Sequence, residues 1–282
     1  MIQLLIIDPQ NDFCDLPENY RPLHPLTGQA QQPALPVAGA HADMQRLAAF
    51  VGQAAGVLDG ITVTLDSHHR LDIAHPTFWL GADGAPVAPF TEITAAQLRA
   101  GAFRPRDPAA LPRAQAYLDA LEARGRYTLM VWPVHCQIGS WGHNVHADLL
   151  AACGAWEEGR GRVMQAVIKG TNPWTEHYSA LQAEVPDAAD PDTELNEALL
   201  ASLGRADLLL VAGEASSHCV KATTEHILQH LPSGRLDKVV LLSDCMSPVT
   251  GFEPQAAGFL ADAAQRGARI ATSREMLAEL TR

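Results

Sequence analysis

Short apolar runs rich in β-branched residues recur along the chain, separated by segments whose apolar positions return every three to four residues. The runs predict strands at 3–8 (QLLIID), 61–66 (ITVTLD), 127–133 (YTLMVWP), 163–170 (VMQAVIKG), 207–213 (DLLLVAG) and 238–244 (KVVLLSD), with 268–273 (ARIATS) a candidate seventh. They are continuous rather than alternating, which suits strands covered on both faces. Helices are predicted over 41–56, 113–124, 145–157, 193–203, 218–231, 254–266 and 274–281. Within 218–231, Val220, Ile227 and Leu231 recur at helical spacing. Strand–helix alternation of this kind predicts an α/β fold: a doubly wound, mostly parallel six-stranded sheet with helices on both faces.

Two stretches break the alternation. Residues 16–38 hold five prolines and little periodicity, and 76–112 read as an insertion with one short helix near 95–101. Long segments of this kind are usually functional or disordered. With no internal repeat, low-complexity tract or linker, the expectation is one domain over 1–282, with insertions at about 16–38 and 76–112.

Composition narrows the partners. A net charge of -12 argues against nucleic acid or an anionic membrane, and a small-molecule substrate is the natural alternative. No apolar run approaches the roughly 20 residues that span a bilayer. The start, MIQLLIIDPQNDF, reads as a first strand rather than a signal peptide. Five irregularly spaced cysteines do not form a disulfide framework, and a cytoplasmic location follows as the expectation. Only three residues are lysines, Lys169, Lys221 and Lys238, so each position is informative.

In doubly wound sheets ligands bind beyond the carboxyl ends of the strands. Asp8, Asp66 and Lys169 close predicted strands, His135 follows another, and Cys219 opens the helix after a fifth. Free amides at a helix start stabilise a thiolate, and the small residues of GEASSH allow backbone amides to face a developing oxyanion. A cysteine nucleophile needs a proton acceptor and a nearby positive charge, which Asp8 and Lys169 would supply. A second set, Asp66, His68, His75 and His135, suits one divalent metal ion, Zn, Fe or Mn. His69 stands as an alternative to its neighbours. The blander reading of these histidines is a polar loop that only makes hydrogen bonds. His143 and His146 are expected to face solvent or a subunit contact, and His218 to tune the cysteine or sit in a solvated turn. Cys14, Cys136, Cys153 and Cys245 read as reduced packing residues.

The stretches IIDPQNDFC, TLDSHHRLDIAH, WPVHC, VIKGTNPW and VAGEASSHCVKATTEHI occur in the order found in isochorismatase-like cysteine hydrolases, and most resemble the nicotinamidase/pyrazinamidase branch. The resemblance runs from residue 1 to about 250. It implies a hydrolase of non-peptide amides with Cys219 as nucleophile, Asp8 as base and Lys169 as the charge that holds both ionised. It implies an oxyanion hole from the Ala215 and Cys219 amides, with a cis bond between Glu214 and Ala215. Asp66, His68, His75 and His135 would be the metal ligands, and in nicotinamidases the metal also binds the ring nitrogen. Phe13, Trp132 and Tyr178 would wall a flat ring. A homo-oligomer is usual among such relatives. The rival within the superfamily is a metal-free hydrolase of a ureide, carbamoyl or maleamate-type amide. A non-catalytic binding or thiol-sensing protein is a further alternative, against which the intact Asp8, Lys169 and Cys219 argue.

Overall fold

The computed structural model describes residues 1–281. Its strands are β1 (Ile2–Ile7), β2 (Gly60–Asp66), β3 (Trp79–Gly81), β4 (Thr91–Ile93), β5 (Phe103–Pro105), β6 (Leu129–Val131), β7 (Gln165–Lys169), β8 (Leu208–Gly213), β9 (Val239–Leu242) and β10 (Arg269–Ala271). The helices are α1 (Ala40–Ala54), α2 (Ala95–Arg99), α3 (Leu111–Arg124), α4 (Ala147–Arg160), α5 (Glu197–Gly204), α6 (Cys219–His230), α7 (Glu253–Gln265) and α8 (Ser273–Leu280).

Six strands form the central sheet, in the order β10-β9-β8-β1-β2-β7, and every pairing is parallel. The innermost residues, Leu4 to Ile7 and Leu209 to Ala212, are wholly inaccessible, as apolar runs covered on both faces must be. From β1 the chain moves through α1 to β2 on one side; from β8 it moves through α6 to β9 on the other. Right-handed crossovers therefore put α1 and α6 on opposite faces. Helix α4 packs with α1, and α7 with α6, in keeping with that winding. The direction of winding reverses between β1 and β8. A crevice opens at such a switch point beyond the strand ends, and there this class of sheet binds its ligands.

The sixth strand is not the one the apolar pattern suggested. Residues 129–131 lie outside the central sheet and pair antiparallel with β4 (Glu92 opposite Met130). The free edge of β2 is taken instead by β7, with Thr62 opposite Gln165 and Asp66 opposite Lys169. The place in the count falls to 269–271 at the far edge. As an edge strand, β7 leaves Ile168 exposed, contrary to the two-sided burial expected of VMQAVIKG. The helix expected from 193 begins at Glu197, where Asn196 caps it by accepting from the Leu199 N–H.

The insertion at 76–112 is ordered. It supplies β3, β4, α2 and β5, and it builds a second apolar cluster from Ile73, Phe78, Trp79, Ile93, Leu98, Leu118 and Val131. Five residues form α2 because Thr94 and Gln97 cap it reciprocally. In the segment 16–38, Leu35 and Val37 turn inward to the main core. No helix among the described residues is long and apolar enough to cross a membrane.

Candidate active site

Asp8, Asp66 and Lys169 stand at the exits of β1, β2 and β7, and Cys219 is the first residue of α6. Each is at least nine-tenths buried. Lys169 Nζ lies 2.9 Å from Asp8 Oδ2, 2.8 Å from Asp66 Oδ1 and 3.7 Å from Cys219 Sγ, and donates to the His177 carbonyl at 2.9 Å. Asp8 adopts a left-handed φ of 44°, fastened by Thr64, whose hydroxyl donates to Oδ1 at 2.5 Å and accepts the Asp8 N–H at 3.0 Å. After Lys169, Gly170 turns at φ +80°, where a Cβ would stand 3.1 Å from Asp66 Oδ1.

One ammonium among two carboxylates and a thiol sets the electrostatics. Burial works against the charge on Lys169, but Asp66, Asp8 and Cys219 outweigh it and hold its pKa well above the usual range. Burial likewise opposes the charge on Asp66, yet His68 and Lys169 keep it well below the ordinary carboxylate value. Asp8 moves upward because burial exceeds the pull of Lys169. Burial also pushes the Cys219 thiol well up, with Lys169 opposing and Asp8 adding to the rise. That direction favours the thiol over the helix-stabilised thiolate expected from its position. Asp8, beside Lys169 and raised by burial, is the carboxylate in the cluster made more basic than usual.

The turn from β8 to α6 exposes two amides. Gly213, at φ +120°, passes so close to β1 that a Cβ would fall 2.0 Å from the Ile7 carbonyl oxygen, so only glycine fits. The Glu214–Ala215 peptide is cis. The Val220 N–H reaches back five residues to the Ala215 carbonyl at 3.2 Å. That wide first turn passes over Cys219, and neither its N–H nor that of Ala215 has an acceptor among the described residues. Two free donors beside one thiol are what an oxyanion hole requires.

The ligand nitrogens of His68, His75 and His135 lie within 4.8 Å of one another in the buried interior. Each ring is oriented through Nδ1: His68 toward Asp72 Oδ2 at 3.0 Å, His75 toward the His69 carbonyl at 3.2 Å, His135 toward the Pro133 carbonyl at 2.8 Å. Those acceptors favour the proton on Nδ1 and a lone pair on each Nε2, that of His75 lying 3.2 Å from His135 Nδ1. The Nε2 atoms of His68 and His135 lie 3.0 and 3.3 Å from Asp66 Oδ2. Lone pairs held against a carboxylate oxygen repel unless a proton or a cation lies among them, so the donor set fits a divalent ion. With a proton there instead, Asp66 and Asp72 overcome burial and raise His68 well above the usual histidine range. His69 is exposed at the same turn and contributes its carbonyl to the arrangement.

A pocket of about 360 Å³, counted to its mouth, opens onto Cys219, Asp66 and His135. Phe13, Trp132 and Tyr178 all line it, and the Trp132 indole N–H donates to the Tyr178 hydroxyl at 3.0 Å. Apolar and aromatic walls around a few polar groups suit a small flat ligand.

No protein-family profile and no curated protein matches the sequence. Solved structures do. The chain superposes on a nicotinamidase/pyrazinamidase of Acinetobacter baumanii at a TM-score of 0.62 and 18% identity, over 98% of this chain and 97% of that one. The yeast nicotinamidase Pnc1p gives 0.61 at 19%, over 96% and 99%. A Pyrococcus horikoshii pyrazinamidase in complex with zinc gives 0.54 at 17%, over 96% and 98%. The chain has the isochorismatase-like hydrolase fold.

Within this isochorismatase-like fold several side chains depart from their expected places. His135 reaches the site from the loop after β6, not from a strand of the central sheet. His146 is fully buried, its Nε2 2.8 Å from His41 Nδ1, and His143 turns to the Ser67 hydroxyl at 2.8 Å. Neither faces solvent as a free surface residue. His218 is buried and lines the pocket. Leu35 and Val249 line it too, with nothing in their sequence neighbourhoods to mark them, and so does Glu176. The TEHYSAL stretch carried a signal for Glu176, an acid beside an expected wall residue. Its Oε1 accepts the His177 N–H at 2.9 Å while Oε2 is buried without a donor, and burial raises its pKa.

Proposed function

We propose that this chain is a metal-containing cysteine amidohydrolase that converts nicotinamide, or a similar small heteroaromatic primary amide, to the acid and ammonia through a thioester. The observation that carries this reading is Lys169 Nζ, placed 2.9 Å from Asp8 and 3.7 Å from Cys219, the residue that opens onto an aromatic pocket. The nicotinamidases and pyrazinamidases that share the fold support the choice of substrate class.

Asp8 takes the Cys219 proton, and the sulfur attacks the amide carbon. The carbonyl electrons move to oxygen, which receives hydrogen bonds from the Ala215 and Cys219 amides. Collapse breaks the C–N bond as Asp8 returns the proton to nitrogen, releasing ammonia. Water then adds to the thioester carbon and gives a proton to Asp8, and the sulfur leaves to regenerate the thiol. Throughout, the Lys169 charge steadies Asp8 and the sulfur in whichever form is anionic. Phe13, Trp132 and Tyr178 orient the ring and exclude water. His68, His75 and His135 with Asp66 would hold the divalent ion, which supplies Lewis-acid charge and lowers the pKa of water bound to it.

Ammonia release from nicotinamide, pyrazinamide, a ureide and maleamate, read beside the metal content of untagged protein, tests the proposal. The expected result is release from the two aromatic amides by protein carrying a divalent metal. Release confined to the ureide or maleamate, by metal-free protein, would overturn it.

A further inference from the structure

A second cleft, of about 600 Å³ with the space open to solvent at its mouth, meets the catalytic pocket at Tyr178 and His218, which line both. Tyr127, Lys221 and Phe252 wall it, and the β4–β6 ribbon built around the insertion adds Glu92 and Met130.

Several of its polar groups can donate. Ser217 Oγ accepts the Val249 N–H at 3.0 Å and lies 2.9 Å from His218 Nδ1, a pair in which the hydroxyl can donate to the ring. In that arrangement the ring proton of His218 sits on Nε2, a donor without a partner among the described residues. Burial and nearby Lys221 hold the pKa of this ring down at about 4, and it stays neutral. Lys221 Nζ is held loosely, 3.4 Å from the Tyr127 hydroxyl and 3.4 Å from Glu225 Oε1, both long for its donors. Since the Tyr127 oxygen accepts from Lys221, its own proton is free to donate. Arg126, also on this wall, is already paired with Glu225 at 2.9 Å and lies 3.3 Å from Glu184. Glu92 sits exposed, where water screens it.

We infer that this second cleft receives an anionic substituent on the ring of the amide substrate, a carboxylate bound by Lys221 Nζ, the Tyr127 hydroxyl and His218 Nε2–H. The inference rests on reading the catalytic pocket as an aromatic-amide site. It makes the preferred substrate a ring that carries a carboxylate as well as the amide. The acyl carbon would lie at Cys219 while the second group passes His218, the adjacent residue in the wall.

Binding of two product-type acids, nicotinate and pyridine-3,5-dicarboxylate, tests this by calorimetry on the metal-loaded protein and needs no turnover. The dicarboxylate is expected to bind roughly tenfold more tightly, the worth of one charge-assisted hydrogen bond. Lys221→Met should bring the ratio of the two affinities to about one, and Lys221→Arg should restore most of it. Equal affinities in the unaltered protein, no binding of the dicarboxylate, or a preference that survives Lys221→Met would each overturn the inference. Failure of the underlying reading has a different signature: no ammonia from any aromatic amide, with the dicarboxylate preference intact.

Discussion

Lys169 Nζ stands 2.9 Å from Asp8 Oδ2, with both side chains closed off from solvent, and the same ammonium is 2.8 Å from Asp66 Oδ1. One cation thus joins the proposed catalytic acid–base to the proposed metal ligand. Replacing it by methionine leaves two buried carboxylates without a counter-charge. Lys169→Met should lower stability by about 3–5 kcal/mol, and amide hydrolysis should fall at least about a hundredfold. Adding Asp8→Asn should recover part of the denaturation midpoint but none of the rate. A Lys169→Met variant as stable as the parent would contradict this picture of the buried network.

The metal prediction rests on Asp72, which holds His68 Nδ1 at 3.0 Å and accepts the Ala74 N–H at 2.9 Å. Asp72→Asn should weaken metal binding by about 10–100-fold, measured by competition with a chromogenic chelator. His69→Ala should leave the affinity where it was, because that residue contributes its backbone carbonyl and not its ring. The reverse outcome would exchange the roles of His69 and His75.

Glu184 supplies a pH dependence of stability. Burial raises its pKa from 4.5 to about 7, against the pull of Arg126. The folded protein therefore keeps the proton at pH values where the unfolded chain has lost it. The stabilisation is full below about 4.5 and is lost as pH rises to about 7, by roughly 3 kcal/mol at most. Denaturation midpoints from pH 4.5 to 8 should fall less steeply for Glu184→Gln than for the parent. Parallel curves would show that Arg126 keeps Glu184 ionised throughout.

What the sequence made legible were the groups attached to regular elements. Asp8, Asp66 and Lys169 end apolar runs, and Cys219 opens a helix, so knowing that the strands run parallel was enough to bring them to one edge. His135 was found for a partly mistaken reason, since the short run at 129–131 says nothing about which strand it pairs with. The β4 partner lies in an insertion with no strand pattern of its own. Asp72 stayed hidden, and the roles of Glu176 and His218 stayed open, because they depend on side-chain direction within irregular turns, which no periodicity encodes. Ionisation was hidden in the same way. A helix start favours a thiolate, but the depth of burial that reverses the sign at Cys219 appears only when the loops close over it.

The central claim is that Cys219 carries the acyl group of an amide during turnover. Acid-quenching the protein as it processes nicotinamide, followed by intact mass and peptide mapping, observes that species directly. The account predicts an adduct equal to the amide less ammonia, confined to Cys219 and absent from Cys219→Ala, which releases no ammonia. Ammonia release that persists in Cys219→Ala, with no acyl adduct at any stage in the parent, would contradict it.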